Sequence, residues 1–271
     1  MNILRKIYDK ITTVVYPEGL KCIACSKEID SEENKFCLCN SCFKKVNKIS
    51  GKICLKCGEP LFSEARYCIR CKHTTFNFAQ AFSYCYYTGL MKKLIQDFKF
   101  EGKVYHSKTF AYMLYVTYLM EILPKYHIDC VTYVPIHISR LKERGYNQCE
   151  ILANDFCKLS KLNFYKNLLI KTKKTKQQVG LNMKDRKVNL SKAFEITDKN
   201  IITDKTVLLI DDIFTTGSTC DECASVLMKN GAYKVVVLTV AHTQLNKAVI
   251  KVNKKWKLLR LFQTKVLRTH T

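Results

Sequence analysis

The sequence predicts an α/β protein built on a mainly parallel sheet, with a small Cys-rich module in front of it. Three observations carry that expectation. Four CxxC pairs are confined to residues 22–71. Beyond residue 75, apolar runs of strand length alternate with amphipathic stretches of helical length, the pattern of a parallel sheet covered on both faces. The runs "TVLLI" (206–210) and "YKVVVLTVA" (233–241) are nearly continuously apolar, as strands buried on both faces must be.

In chain order, "MNILRKIYDKITTVVYPEGL" (1–20) comes first. Ile3, Leu4, Ile7, Ile11 and Val14 fall at helical spacing, so a short amphipathic helix is expected over 1–19. Lys6, Asp9 and Lys10 break the stretch, which therefore lacks the apolar core of a secretory signal. The longest apolar run, "FAYMLYVTYLM" (110–120), is too short to span a bilayer and is expected as buried helix. A cytoplasmic protein without a transmembrane segment is expected, membrane-associated at most through partners.

Residues 20–75 are expected to be held by metal. Without a signal segment, 15 cysteines argue for metal rather than disulfides. The pairs Cys22/Cys25, Cys39/Cys42, Cys54/Cys57 and Cys68/Cys71 each leave a two-residue gap, which lets a knuckle turn both thiolates toward one ion. Eight thiolates make two tetrahedral Zn²⁺ sites with every position filled by protein, the mark of structural rather than catalytic zinc. Sequential pairing joins Cys22, Cys25, Cys39 and Cys42 on one ion, and Cys54, Cys57, Cys68 and Cys71 on the other. A cross-braced pairing is the alternative. Cys37 is a spare thiol able to substitute in a site, and His73 is either a further ligand or a surface residue. Few aliphatic residues fall at core spacing over 20–73, so folding there depends on the metal. Reduced surface cysteines are the competing explanation, and a redox CxxC would need a strand–helix setting that is absent.

The body begins with a strand at "AFSYCYY" (81–87) and a helix in "TGLMKKLIQDFKFEG" (88–102), whose Leu90, Leu94, Ile95 and Phe98 share a face. A helix over 106–123 follows, then a strand in "DCVTYVPI" (129–136) ended by Pro135. Next come a helix from about Asn147 to Lys161 and strands at "NLLIKT" (167–172) and "AFEI" (193–196). "TVLLI" is the next strand, "STCDECASVLMKNG" (218–231) a helix that Gly231 can end, and "YKVVVLTVA" the last strand.

In "TVLLIDDIFTTGSTCDECASVL" (206–227) a strand runs into two consecutive carboxylates, Asp211 and Asp212, and then a turn of hydroxyls and glycine. Adjacent like charges repel, and the turn buries nothing, so the pattern points to a ligand. Ligands of parallel sheets bind at the carboxyl ends of strands. A turn feeding a helix N-terminus offers free N–H groups to an anion. Gly217 permits close backbone approach, while Thr215, Thr216, Ser218 and Thr219 add hydroxyl donors. Paired acids beside a phosphate cradle suit a ribose 5′-phosphate, the carboxylates accepting from the 2′- and 3′-hydroxyls.

"VLLIDDIFTTGST" resembles the phosphoribosyl-pyrophosphate motif of type I phosphoribosyltransferases. Together with "VPIHISRLKERGYNQCEILA" (134–153), "KTKQQVGLNMKDRKVNLSKAF" (174–194) and the cysteine module, it resembles the ComF-type competence proteins from about Pro17 to His242. The resemblance implies a type I phosphoribosyltransferase sheet behind a zinc-bearing module, phosphoribosyl pyrophosphate bound with Mg²⁺, and a part in uptake of single-stranded DNA. A DNA-uptake helicase or membrane channel would be the protein partners. Arg140, Lys142 and Arg144 follow a strand end where pyrophosphate would lie beside the sugar, and a guanidinium fork matches phosphate oxygens. A solvated basic loop is the alternative. Gly145 permits a turn, and Asn147 can cap the next helix. Residues 173–189 show little periodicity and read as a flap, on which Gln178, Arg186 and Asn189 match the family pattern; an ordinary exposed loop is the alternative. Chemistry, if any, is displacement of pyrophosphate from C1, with Mg²⁺ bridging ligand oxygens and no general base required. No catalytic base, glutaminase portion or clear nucleobase-recognition segment is evident.

The net charge of +23 favours polyanionic partners, although 38 Lys against 8 Arg is also what codon bias produces. The tail "KAVIKVNKKWKLLRLFQTKVLRTHT" (247–271) interleaves basic residues with Trp256 and Phe262. That composition fits single-stranded nucleic acid, an anionic membrane surface or a solvated end. Four segments are expected: 1–19, 20–75, 76–242 and 243–271. The function expected is binding of phosphoribosyl pyrophosphate and single-stranded DNA in DNA uptake. The alternative is an active phosphoribosyltransferase with an unknown acceptor.

Overall fold

The computed structural model describes residues 21–29, 36–61, 63–173 and 193–243. The helix expected over 1–19, the flap residues Gln178, Arg186 and Asn189, and the tail with Trp256 and Phe262 lie outside the described residues. Two short helices, α1 (Asn40–Phe43) and α2 (Ile69–Lys72), precede strand β1 (Gln80–Tyr86). Helices α3 (Gly89–Phe100) and α4 (His106–Thr117) follow, then β2 (Cys130–Tyr133), α5 (Ile138–Arg144) and α6 (Gln148–Ser160). The chain continues through β3 (Leu169–Lys171), β4 (Phe194–Ile196), β5 (Thr206–Phe214), α7 (Ser218–Lys229) and β6 (Lys234–His242).

The main sheet has four strands in the order β1-β6-β5-β2, every neighbouring pair parallel. Its strands alternate between two apolar layers. Leu208, Ile210, Val236 and Leu238 face the layer containing Leu94, Phe110, Leu152 and Phe156 from α3, α4 and α6. Val207, Leu209, Val235 and Val237 face the layer containing Cys220, Ala224 and Leu227 from α7. Burial on both faces is why β5 and β6 show no polar alternation. β3 and β4 form a separate antiparallel ribbon rather than joining the main sheet. The helix expected over 106–123 is α-helical only to Thr117 and then widens to a π turn, Tyr118–Ile122. Among the described residues no helix is long and apolar enough to cross a membrane.

The cysteine module is one knuckle used twice. The Cys22 N–H donates to the Lys27 carbonyl at 2.7 Å, and the Cys54 N–H to the Glu59 carbonyl at 2.7 Å. Ser26 and Gly58 occupy equivalent left-handed positions, φ +61° and +73°, and α1 and α2 then start from Cys39 and Cys68 in the same way. Between the halves, residues 47–49 run along the open edge of β1: the Ile49 N–H reaches the Tyr84 carbonyl at 3.0 Å and the Tyr86 N–H the Asn47 carbonyl at 2.8 Å. An exposed strand edge is thereby capped. The first half adds Cys22, Leu38 and Cys42 to one apolar layer, and the second adds Cys54 and Cys57 to the other. The module straddles β1.

That seam leaves little room at Gly58. A Cβ there would lie 2.6 Å from the Ala81 carbonyl oxygen of β1, whereas one at Gly102, also left-handed, meets nothing within 4 Å. Gly58→Ala is therefore expected to destabilise the zinc-saturated protein by about 2 kcal/mol, and Gly102→Ala by about 1 kcal/mol. Urea unfolding of the two variants checks the difference; equal losses would mean that the seam gives way.

Candidate functional site

The expected end of the strand at Ile210 is corrected by the structure: β5 continues through Asp211 and Asp212 to Phe214. β2 stops beside it, pairing Tyr133 with Ile210, so the acidic pair lies where β5 outruns its neighbour. A crevice at the carboxyl end of a parallel sheet arises in this way. On its other side β5 stays paired, Asp211 opposite Thr239 and Phe214 opposite His242.

Each acid is met by groups from the surrounding helices. Lys99 Nζ of α3 lies 2.8 Å from Asp212 Oδ1, with the two side chains 18% and 6% exposed. Gln148 of α6 donates Nε2 to Asp212 Oδ2 at 3.2 Å and accepts from Arg144 Nη1 at 3.2 Å. The thiols of Cys149 and Cys220 donate to the two oxygens of Asp211 at 3.3 and 3.6 Å, and the Asp212 N–H donates to Asp211 Oδ1 at 2.9 Å. Burial and the adjacent Asp212 charge push the Asp211 carboxyl up to about 7, against the opposing pull of Lys99. The two acids thus have distinct environments. Asp212 is paired with a cation, while Asp211 sits at the edge of ionisation near neutral pH.

The turn after β5 is built around Phe214. Gly217 has φ +81°, and a Cβ on it would come 2.6 Å from Phe214 Cζ, so glycine is required there. Thr216 and Ser218 hydroxyls are 2.8 Å apart, and the Ser218 N–H turns back to Thr216 Oγ1 at 3.4 Å. α7 begins immediately, its first turn holding Asp221, which accepts from the Asn77 N–H and Asn77 Nδ2 at 2.6 and 2.9 Å.

Arg140 and Arg144 lie on a helix rather than a loop: α5 is capped by His137, whose Nδ1 accepts from the Ser139 N–H at 3.2 Å. Gly145 ends it at φ +79°. Asn147 caps α6, its side chain accepting from the Cys149 N–H at 2.9 Å. Arg144 reaches the acids through Gln148 and lies over the Phe100 ring, 4.8 Å from its centroid. Arg140 acts electrostatically on Lys171 of β3, which also feels Asp211. Sequence reasoning missed Lys99, Gln148, Cys149 and Cys220. Lys99 had a visible signal: it follows Met91 and Ile95 at four-residue steps, a lone cation on an apolar helix stripe.

The cysteines fall into the groups Cys22, Cys25, Cys39, Cys42 and Cys54, Cys57, Cys68, Cys71, with the sulfurs of each group all within 4.8 Å of one another. This is the sequential pairing, and the cross-braced one is excluded. Sulfur separations of 3.6 Å for Cys25–Cys39 and 3.7 Å for Cys57–Cys68 match the edge of a tetrahedron with Zn–S bonds of about 2.3 Å. The Cys68 N–H also donates to Cys54 Sγ at 3.4 Å. Both groups therefore fit structural zinc. Cys37 is outside them, its thiol engaged with Thr109, and His73 is exposed and outside them. Cys149, Asp211 and Asp212 form a third cluster, but its thiol does not suit Mg²⁺, which prefers oxygen.

Residues 11–72 match the family model of the double zinc ribbon domain, and residues 151–266 that of the phosphoribosyl transferase domain. The chain is 30% identical over 231 residues to competence protein F of Haemophilus influenzae, covering 82% of this chain and 97% of that protein. It is 30% identical over 200 residues to competence protein ComFC of Bacillus subtilis, covering 72% and 79%. To the DNA utilization protein YhgH of Escherichia coli it is 25% identical over 212 residues, covering 76% and 90%.

Removing Lys99 leaves the Asp212 carboxylate buried with the Gln148 amide but without its cation. Lys99→Met is expected to destabilise the ligand-free chain by about 3 kcal/mol, and adding Asp212→Asn should restore most of the loss. A double-mutant cycle in urea checks this; additive effects would show that the pair does not interact.

Proposed function

The chain belongs to the ComF family of competence proteins, and from that premise we propose that it binds phosphoribosyl pyrophosphate in the crevice at the end of β5. We propose further that it binds single-stranded DNA on its basic surface in the course of DNA uptake. A part in competence follows from the family. The observation that carries the ligand is the succession, within one turn, of a partly neutralised acid pair and a Gly217 turn entering α7.

Each part of the ligand has a counterpart. Asp211 and Asp212 accept from the ribose hydroxyls, Asp211 most effectively when ionised. Thr215, Thr216, Gly217, Ser218 and Thr219 receive the 5′-phosphate through hydroxyls, N–H groups and the helix N-terminus. Arg140 and Arg144, on the helix that follows β2, take the pyrophosphate; Gln178 and Arg186 lie outside the described residues. Lys99 lowers the cost of two adjacent carboxylates before the ligand arrives. Mg²⁺ would come with the ligand and would supply charge neutralisation at the pyrophosphate. With the net charge of +23, DNA affinity is expected to fall steeply with salt.

Titration calorimetry with phosphoribosyl pyrophosphate and Mg²⁺ tests the ligand. Binding is expected for the native chain and a loss of at least about tenfold for Asp212→Asn; no binding by the native chain overturns the reading. Because the Asp211 carboxyl is pushed up to about 7, affinity should rise as pH climbs through that value, and Asp211→Asn should flatten the rise. Anisotropy of a labelled single-stranded oligonucleotide, with and without the sugar phosphate, tests the DNA. Pyrophosphate release dependent on one added acceptor would establish turnover instead.

A further inference from the structure

The two four-cysteine groups are not equivalent in their surroundings. Cys54 and Cys57 of the second are fully buried in the same apolar cluster as Phe78, Phe214, Cys220 and Cys223. Phe214 enters the phosphate turn, and Cys220 and Cys223 leave it on α7. The first group's Cys22 and Cys42 pack instead on the opposite face of the sheet.

Arg70, between Cys68 and Cys71, joins the second group to the turn. Its Nη1 donates to the Thr216 carbonyl at 3.2 Å, while Nε and Nη2 are buried without a hydrogen-bond partner. The same guanidinium interacts electrostatically with Cys57, Cys71 and Cys68. Four thiolates on one divalent ion retain net negative charge, and Arg70 is a cation beside them, as is Lys56, but of the two only Arg70 reaches the Thr216 carbonyl. A guanidinium is a rigid planar fork of five N–H donors, so one edge can serve the thiolates while another holds a carbonyl; an ammonium is a single point. A trans peptide holds its C=O and the following N–H on opposite sides. Fixing the Thr216 carbonyl on Arg70 therefore turns the Gly217 N–H away from the cysteine module.

We propose that Arg70 is a positioning residue through which the second four-cysteine group sets the Thr216–Gly217 peptide, so that sugar-phosphate binding depends on the second metal group and not on the first. The ligand in this proposal rests on the reading under Proposed function, whereas the coupling to the turn does not.

The test uses the full chain with Arg70→Met, Arg70→Lys and, in the first group, Cys25→Ser. Zinc content, melting, hydrogen exchange of the peptide spanning 211–221 and affinity for phosphoribosyl pyrophosphate are measured on each. Arg70→Met is expected to keep its zinc and to exchange the turn amides about tenfold faster, with a similar loss of affinity, the size of one charged hydrogen bond. Arg70→Lys should recover melting but not turn protection, and Cys25→Ser should leave the turn as in the native chain. Native exchange in a zinc-replete Arg70→Met chain overturns the proposal, as does an equal effect of Cys25→Ser. Should Arg70→Met lose zinc or fail to fold, Arg70→Lys decides by the same criterion. If the native chain binds no sugar phosphate while its turn still responds to Arg70→Met, the coupling is supported and the ligand reading fails.

Discussion

Two carboxylates on consecutive residues at the end of a buried strand repel each other and lose hydration, and the ion pair between Lys99 and Asp212 offsets both costs. The rest of the site is arranged around that pair. α3 must pack so that its apolar stripe ends with Lys99 beneath the crevice, which Met91 and Ile95, both fully buried, ensure. α6 must begin where Asn147 caps it, so that Gln148 and Cys149 face Asp212 and Asp211. Helix packing on one face of the sheet thus brings a cation and an amide donor to Asp212. Asp212 is paired with a cation, while burial and the neighbouring Asp212 charge push the Asp211 carboxyl up.

The opposite face supports the neighbouring turn. There the second half of the cysteine module, with too little apolar surface for a core of its own, merges into the core of the sheet through Cys54 and Cys57. Residues 47–49 cap the β1 edge, Gly58 lies against the backbone of Ala81, and His242 Nε2 meets the Cys57 carbonyl at 3.2 Å while stacking on Phe214. Asp212 is held from one layer by Lys99 and Gln148, the turn is supported from the other, and Asp211 lies between Cys149 of the first and Cys220 of the second. Ligand binding at such a site draws on both layers at once.

The strands and long helices were legible because β5 and β6 are buried on both faces and α3 and α6 on one, and burial writes itself into residue order. Metal pairing by neighbours followed from CxxC spacing with the cross-braced alternative still open, since spacing fixes each knuckle but not which knuckles meet. α5 was not legible: its seven residues include none that is buried, so only the His137 cap and Gly145 mark it. Nor was the end of β5, where the acids look like a strand's end because they are charged. Backbone pairing to β6 carries the strand past them. Lys99 was hidden among 38 lysines, and Arg70 makes its contact to the turn across 146 residues. Long-range pairing of this kind leaves no local periodicity to read.

We propose that the acid pair reads a ribose diol while the adjacent turn reads its phosphate. The most direct measurement compares ribose 5-phosphate with 2-deoxyribose 5-phosphate by titration calorimetry on the native chain. If the carboxylates accept from both hydroxyls, removing one forfeits a hydrogen bond to a charged acceptor, and the deoxy sugar should bind about tenfold or more weakly. Equal affinities for the two sugars would contradict this, because the acids would then play no part in recognition.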